Sequence, residues 1–405
     1  MPSIAVIGAG LQGCCAALAL ARRGADVHLY DKEPALLTGA SRWNEGKIHL
    51  GYIYANDRGD GTLERLLDGA ASFAPLLREQ AGLEPEALQI SQPFTYLVKR
   101  DSQLPAEAVA THFARVDAAI ARRREAGFDY LGRSAGPASC AVNAPDIAGT
   151  YDARQVAAAF RTSEYALRPE TLCAAVAAAV EASPRIRTHL GVRIDAIEEA
   201  GDRLRLRDED GGSEGPFDDV VNAAWEDRLR LDASLGRTPD KPWLHRYKLA
   251  IHVRGAPAAE GLPTSTTMML GEFGDIVRFS GGDWYLSWYP ACRLGQSGAL
   301  APPDFLGGLQ DADCDRVRRT SLEALAAVAP GLADLDLDSA TVDIAGGHIF
   351  TWGATGIRDM GSEVHSRVDI GVETHGRVHS IDTGKLGMAP LFAEEAARRI
   401  MEGKA

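Results

Sequence analysis

Ile4-Ala-Val-Ile-Gly-Ala-Gly-Leu-Gln-Gly13 opens the chain, and Asp26-Val-His-Leu-Tyr-Asp31 follows an Ala/Leu-rich stretch that ends at Arg23. The order is strand, glycine turn, helix, strand, acid. The three glycines have separate steric roles. Gly8 permits the tight turn, Gly10 lets backbone approach a pyrophosphate, and Gly13 lets the helix settle on the strand. The helix N-terminus then faces phosphate. Asp31 closes the second strand, where a carboxylate accepts hydrogen bonds from ribose hydroxyls, so the stretch predicts a dinucleotide-binding Rossmann unit.

Working outward, 405 residues with 45% hydrophobic content suffice for two packed domains. A net charge of -13 opposes attraction to nucleic acid, and no nucleic acid partner is expected. The first strand starts next to Met1, and no window approaches a membrane-spanning apolar run, so a cytoplasmic protein without a membrane span is expected. Six cysteines with no CxxC pair predict buried thiols rather than a disulfide frame or a metal site.

After Asp31 and Lys32 comes a polar, glycine-bearing segment, Thr38-Gly-Ala-Ser-Arg-Trp-Asn-Glu-Gly-Lys-Ile-His-Leu-Gly51. Fingerprint, acid and loop together resemble the D-amino-acid oxidase family of FAD-dependent enzymes. The Asn44-Glu-Gly-Lys-Ile-His-Leu-Gly51 version is most similar to the branch of L-2-hydroxyglutarate oxidase, alongside glycine and sarcosine oxidases. The resemblance implies an α/β fold: a Rossmann-like FAD-binding domain (1–80, 150–238 and 340–405) and a mixed antiparallel-sheet substrate domain (81–149 and 239–339). It also implies noncovalent FAD, contacted by Gly8, Gly10, Gly13, Asp31, Lys32, Ser41, Arg42, Asn44, Gly46, Lys47, Ile48, His49 and Val192. Ala223 and Ala224 end a strand that in the family runs into Asn-Ala-Ala-Gly; here Trp225 stands in place of the glycine. Near the end, Asp382-Thr-Gly-Lys-Leu-Gly-Met388 resembles the glycine loop that closes over the flavin, which assigns Gly384, Lys385, Leu386, Gly387 and Met388 to the cofactor.

The remaining chain supplies the substrate side. A strand over 246–254 sets Arg246, Lys248, His252 and Arg254 on one face and Tyr247, Leu249, Ile251 and Val253 on the other. A hairpin turning at Gly281-Gly282 follows, with Tyr285 and Tyr289 on one side of its second strand. Arg246, Lys248, Arg278, Tyr285 and Tyr289 are candidates for an anionic substrate, because charge-assisted hydrogen bonds suit a carboxylate. His348 is expected where the chain re-enters the cofactor domain. His49 and Lys385 are the candidate catalytic groups: an imidazole can take up or give up a proton, and a lysine brings positive charge to a reduced flavin. The expected function is hydride removal from a C–N or C–OH bond of a small carboxylate-bearing substrate, with oxygen or another acceptor taking the electrons. An NAD(P)-dependent reductase and a nonenzymatic nucleotide-binding protein are the alternatives.

Overall fold

The computed structural model describes residues 1–57, 59–134, 138–257 and 259–403. Ser3–Ile7 and Asp26–Asp31 pair in parallel around the helix Leu11–Arg22, as the opening stretch predicts. They lie inside a six-stranded sheet whose order is Gly371–His375, Val378–Asp382, Asp219–Asn222, Ser3–Ile7, Asp26–Asp31, Ile186–Leu190. Only the edge strand Gly371–His375 runs antiparallel to its neighbour.

The period of two in the first strand explains the layers. Ile4 and Val6 are buried with the helix residues Cys14, Leu18 and Leu20, while Ala5 and Ile7 are buried with Ile197, Leu206 and Phe217 from a three-stranded antiparallel meander. Ile194–Ala200, Arg203–Asp208 and Ser213–Phe217 form that meander. Ile186–Leu190 and Ile194–Ala200 are separate strands, because Gly191 takes φ +72° and turns the chain from one sheet into the other. The apolar run 217–224 divides similarly, between Phe217 and Asp219.

The second sheet has nine strands and is mixed, with Thr266–Met269 parallel to Thr95–Lys99 and antiparallel pairing elsewhere. Its spine is Trp243–Arg254, which pairs over its whole length with Thr341–Trp352. Val156–Arg161 also belongs to this sheet. Divisions drawn at 150 and 340 assign both strands to the nucleotide unit, whereas their hydrogen bonds lie with the substrate sheet. The helix Pro169–Ala182 packs against the first helix, and Gly371–His375 pairs in the six-stranded sheet. Along the spine, Tyr247, Leu249, Ile251 and Val253 pack toward the helix Asp311–Val328, leaving Arg246 and Lys248 on the face that looks at the nucleotide unit. All six cysteines are free, and four of them are buried. Among the described residues no helix is long and apolar enough to cross a membrane.

Candidate active site

Parallel strands bring their carboxyl ends to one edge, so Gly8, Asp31, Ala223 and Thr383 meet there, where an open α/β sheet leaves its crevice. A cavity of about 470 Å³ starts at that edge and continues between the sheets. Gly8 has φ +98°, and a Cβ on it would lie 2.4 Å from the Ala223 carbonyl oxygen. Gly13 is tighter still, since a Cβ there would lie 1.7 Å from the Gly8 oxygen. A Cβ on Gly10 would meet only Ser41 Oγ, at 3.2 Å, and Gly10 itself lines the cavity. Two glycines thus serve packing, and one leaves room for a ligand.

Asp31 accepts hydrogen bonds from the Ala9 and Glu33 amides. Burial raises its pKa, against the opposing pull of those amides and Lys32. Lys32 lines the cavity but is engaged by Glu226 at 2.7 Å and Asp227 at 3.0 Å. Val192, Ala223, Ala224 and Trp225 complete this end. Trp225 keeps the left-handed backbone that a glycine would favour, at φ +47°, and its indole N–H donates to the His348 carbonyl at 2.8 Å.

The polar loop divides between ligand-facing and structural residues. Ser41 Oγ accepts the Leu11 amide at 2.8 Å beside the glycine turn. Asn44 donates to the Ala40 and Ser41 carbonyls and accepts the Gly46 amide, so it holds the loop's shape while lining the cavity. Three loop residues expected at the cofactor lie off the cavity wall. Arg42 does not line the cavity; its guanidinium lies over the Trp43 ring at 5.2 Å. Gly46 has φ +72° and abuts Leu167, where a Cβ would fall 1.8 Å from the carbonyl oxygen. Ile48 is fully buried, bonded through its backbone to Tyr165 and Tyr130. Lys47 touches the cavity, but its ammonium reaches Thr267 Oγ1 at 2.5 Å and Asp275 at 3.3 Å.

At the far end, Gly384, Lys385 and Leu386 line the cavity just before the last helix, Ala389–Glu402. Gly384 has φ +60° and donates its amide to Asp382 at 3.1 Å. Gly387 and Met388 are not on the cavity wall: the first packs toward Ile48 and the second against Gly69. Gln12 ties the chain's two ends together, donating to the Ala389 carbonyl at 3.1 Å and accepting from Thr383 at 3.0 Å.

From the second sheet, Arg246, Lys248 and His348 reach the cavity, and Tyr289, expected on a strand, reaches it from the short helix Tyr289–Cys292 that follows Trp284–Trp288. His348 does so from the spine's partner strand, not from the cofactor sheet. Arg278 and Tyr285 do not reach it: Arg278 lies over the Trp284 ring, and Tyr285 is buried against His252 and Lys248. Arg246 is 3% exposed and donates to Tyr289 Oη at 3.0 Å and Thr351 Oγ1 at 2.8 Å. Burial would lower the Lys248 pKa, but Tyr285, Asp275 and Glu45 raise it overall, keeping the ammonium charged.

Sequence reading missed two carboxylates beside His49. Its ring nitrogens lie 3.8 Å from Glu45 and 3.6 Å from Glu164, and neither makes a hydrogen bond. Burial works to raise both carboxyl pKa values, yet His49 and lysine neighbours, helped at Glu164 by Tyr96, hold both below the ordinary carboxylate value. Glu45 was within sight, four residues before His49 in the polar loop. Glu164 arrives from a separate turn and has no local motif.

A family model described as "DAO: FAD dependent oxidoreductase" matches residues 3–399. Curated protein sequences give no match. Among solved structures, glycine oxidase from Geobacillus kaustophilus is similar with a TM-score of 0.67 at 17% identity, covering 100% of this chain and 96% of that one. Iminodiacetate oxidase from Chelativorans sp. BNC1 has the same score and identity over 98% and 95%. L-proline dehydrogenase from P. horikoshii scores 0.64 at 16% identity over 100% and 94%. The residues present suit FAD: Gly10 leaves room where a pyrophosphate would approach, Asp31 would accept hydrogen bonds from the ribose, and the same cavity extends to Lys385.

Proposed function

Because the chain belongs to the DAO family of FAD-dependent oxidoreductases, we propose that it takes a hydride from the α-carbon of a small carboxylate-bearing amine, with 2-hydroxy acids as the second substrate class. Bound FAD receives the two electrons. The protein's own part is to bind, orient and manage charge.

Arg246 carries the reading. It is buried on the cavity wall and donates only to neutral oxygens, leaving Nε without an acceptor. A buried cation in that state costs free energy unless an anion completes it, and a carboxylate matches the guanidinium fork. Tyr289, already bonded to Arg246, supports the same carboxylate. Names of the similar structures, with glycine, iminodiacetate and L-proline as substrates, favour a C–N bond over C–OH. His49, between Glu45 and Glu164, is the group that holds the proton shed by a substrate ammonium. Lys385 sets its positive charge at the flavin end.

Anaerobic titration of the purified yellow protein with amines, amino acids and 2-hydroxy acids tests this. Bleaching of the flavin band by a carboxylate-bearing amine, slowed in Arg246→Gln, is the expected result. Reduction by none of the panel, or equal reduction of Arg246→Gln at low substrate, rejects it. Reoxidation in air with release of hydrogen peroxide identifies oxygen as acceptor.

A further inference from the structure

Lys47, Arg246, Lys248, Arg367 and Lys385 are cations on the cavity wall away from the ribose end. Two of these five are answered by a nearby acid. Lys47 and Lys248 lie 3.3 and 3.9 Å from the two oxygens of Asp275. The Lys385 ammonium is half-exposed and lies 5.7 Å over the Tyr54 ring. Among the described residues Arg246, Arg367 and Lys385 have no carboxylate within ion-pair distance, and of these the two arginines are buried.

Arg367 lies outside the basic strand and no motif marks it. It is 9% exposed, its terminal nitrogen donates to the Val364 and Ser366 carbonyls, and its guanidinium lies 5.5 Å over the Tyr54 ring. Its backbone amide is fixed to Thr62 Oγ1 at 2.8 Å, so the side chain springs from an anchored point. Asp382 feels its field, but that carboxylate has Arg228 beside it at 3.7 Å. Nε of Arg367, like Nε of Arg246, is buried without an acceptor.

Both guanidiniums face one cavity, and a monoanion held by one leaves the other buried without an anionic partner. Resting on the substrate reading above, we propose that the substrate carries two anionic groups. Arg246 with Tyr289 holds one, and Arg367 holds the other and selects for it. The second group is a carboxylate or a phosphoryl group, since both accept the same donor fork.

Binding of unreactive ligands to the FAD-loaded protein tests this apart from turnover, through perturbation of the flavin spectrum. Succinate and glutarate represent a second carboxylate, 3-phosphonopropionate a phosphoryl group, and propionate a single anion. Expected is tighter binding of at least one dianion than of propionate, by about ten- to a hundredfold. Arg367→Gln then removes that advantage and leaves propionate unchanged, while Arg246→Gln weakens every ligand. Arg367→Lys, which keeps the charge, recovers part of the advantage, so a folding defect is distinguishable from loss of a ligand contact. Equal affinity for propionate and all the dianions overturns the proposal, as does a dianion advantage that survives Arg367→Gln in a fully FAD-loaded protein. If Arg367-dependent dianion binding is found but no amine or hydroxy acid reduces the flavin, the redox reading fails and the two-anion site stands.

Discussion

Gly10 and Gly13 stand three residues apart and make opposite demands. At Gly13 an added methyl overlaps the Gly8 oxygen, so Gly13→Ala must separate helix from strand. A loss of about 1–3 kcal/mol or more in denaturant unfolding is expected, with FAD lost as a consequence. At Gly10 the added group enters the cavity, so Gly10→Val should unfold near the wild-type apoprotein's midpoint yet purify without FAD. A colourless Gly13→Ala of unchanged stability, or a yellow Gly10→Val, contradicts this division of roles. No cysteine lines the cavity among the described residues, and noncovalent FAD is expected to leave a colourless pellet on acid precipitation. Both glycines were legible because their spacing reports a local turn. Arg367 and Glu164 were not, because each reaches the site through long-range folding and neither sits in a local pattern.

At the scale of an element, the spine Trp243–Arg254 shows what alternation can and cannot tell. Its two faces follow from the period of two, which correctly sets Arg246 and Lys248 away from Tyr247 and Leu249. Depth does not follow, because burial depends on what the other layer places above the strand. His245 and His252 are 0% and 4% exposed, and burial lowers both pKa values from 6.5 to about 4. The folded state therefore resists protons that the unfolded state accepts. Stability is complete above pH 6.5 and falls toward pH 4, by about 1.4 kcal/mol per pH unit for each histidine. His245→Leu, which removes two ring nitrogens lacking any hydrogen bond, should flatten the decline in stability between pH 6.5 and 4.5. An unchanged slope in urea unfolding across that range would show that His245 is protonated without cost. The strands 156–161 and 341–352 mark a related limit: no local pattern announced them, and sheet membership is set by pairing across long sequence separations.

Across the whole molecule, the first and last helices pack side by side, and the flavin-end loop lies between the last strand and the last helix. Ala393, Ala396 and Ala397 are fully buried in that helix and lie outside the cavity. Small side chains allow the close approach that sets Gly384, Lys385 and Leu386 in place. Enlarging one should push the loop away from its FAD-binding position without touching the cofactor. Ala396→Leu is expected to cost about 1–3 kcal/mol of stability. Apparent FAD affinity should fall with it, because only the fraction of molecules with the loop in place binds FAD well. Excess FAD should then recover much of the lost melting temperature, since a ligand that binds only the folded state stabilises it in proportion to RT ln(1 + [L]/Kd). Flavin fluorescence gives the affinity, and thermal unfolding at several FAD concentrations gives the linkage. A variant that melts earlier yet binds FAD as tightly as wild type would show that helix packing and cofactor retention are independent, and that the loop holds its shape without the last helix.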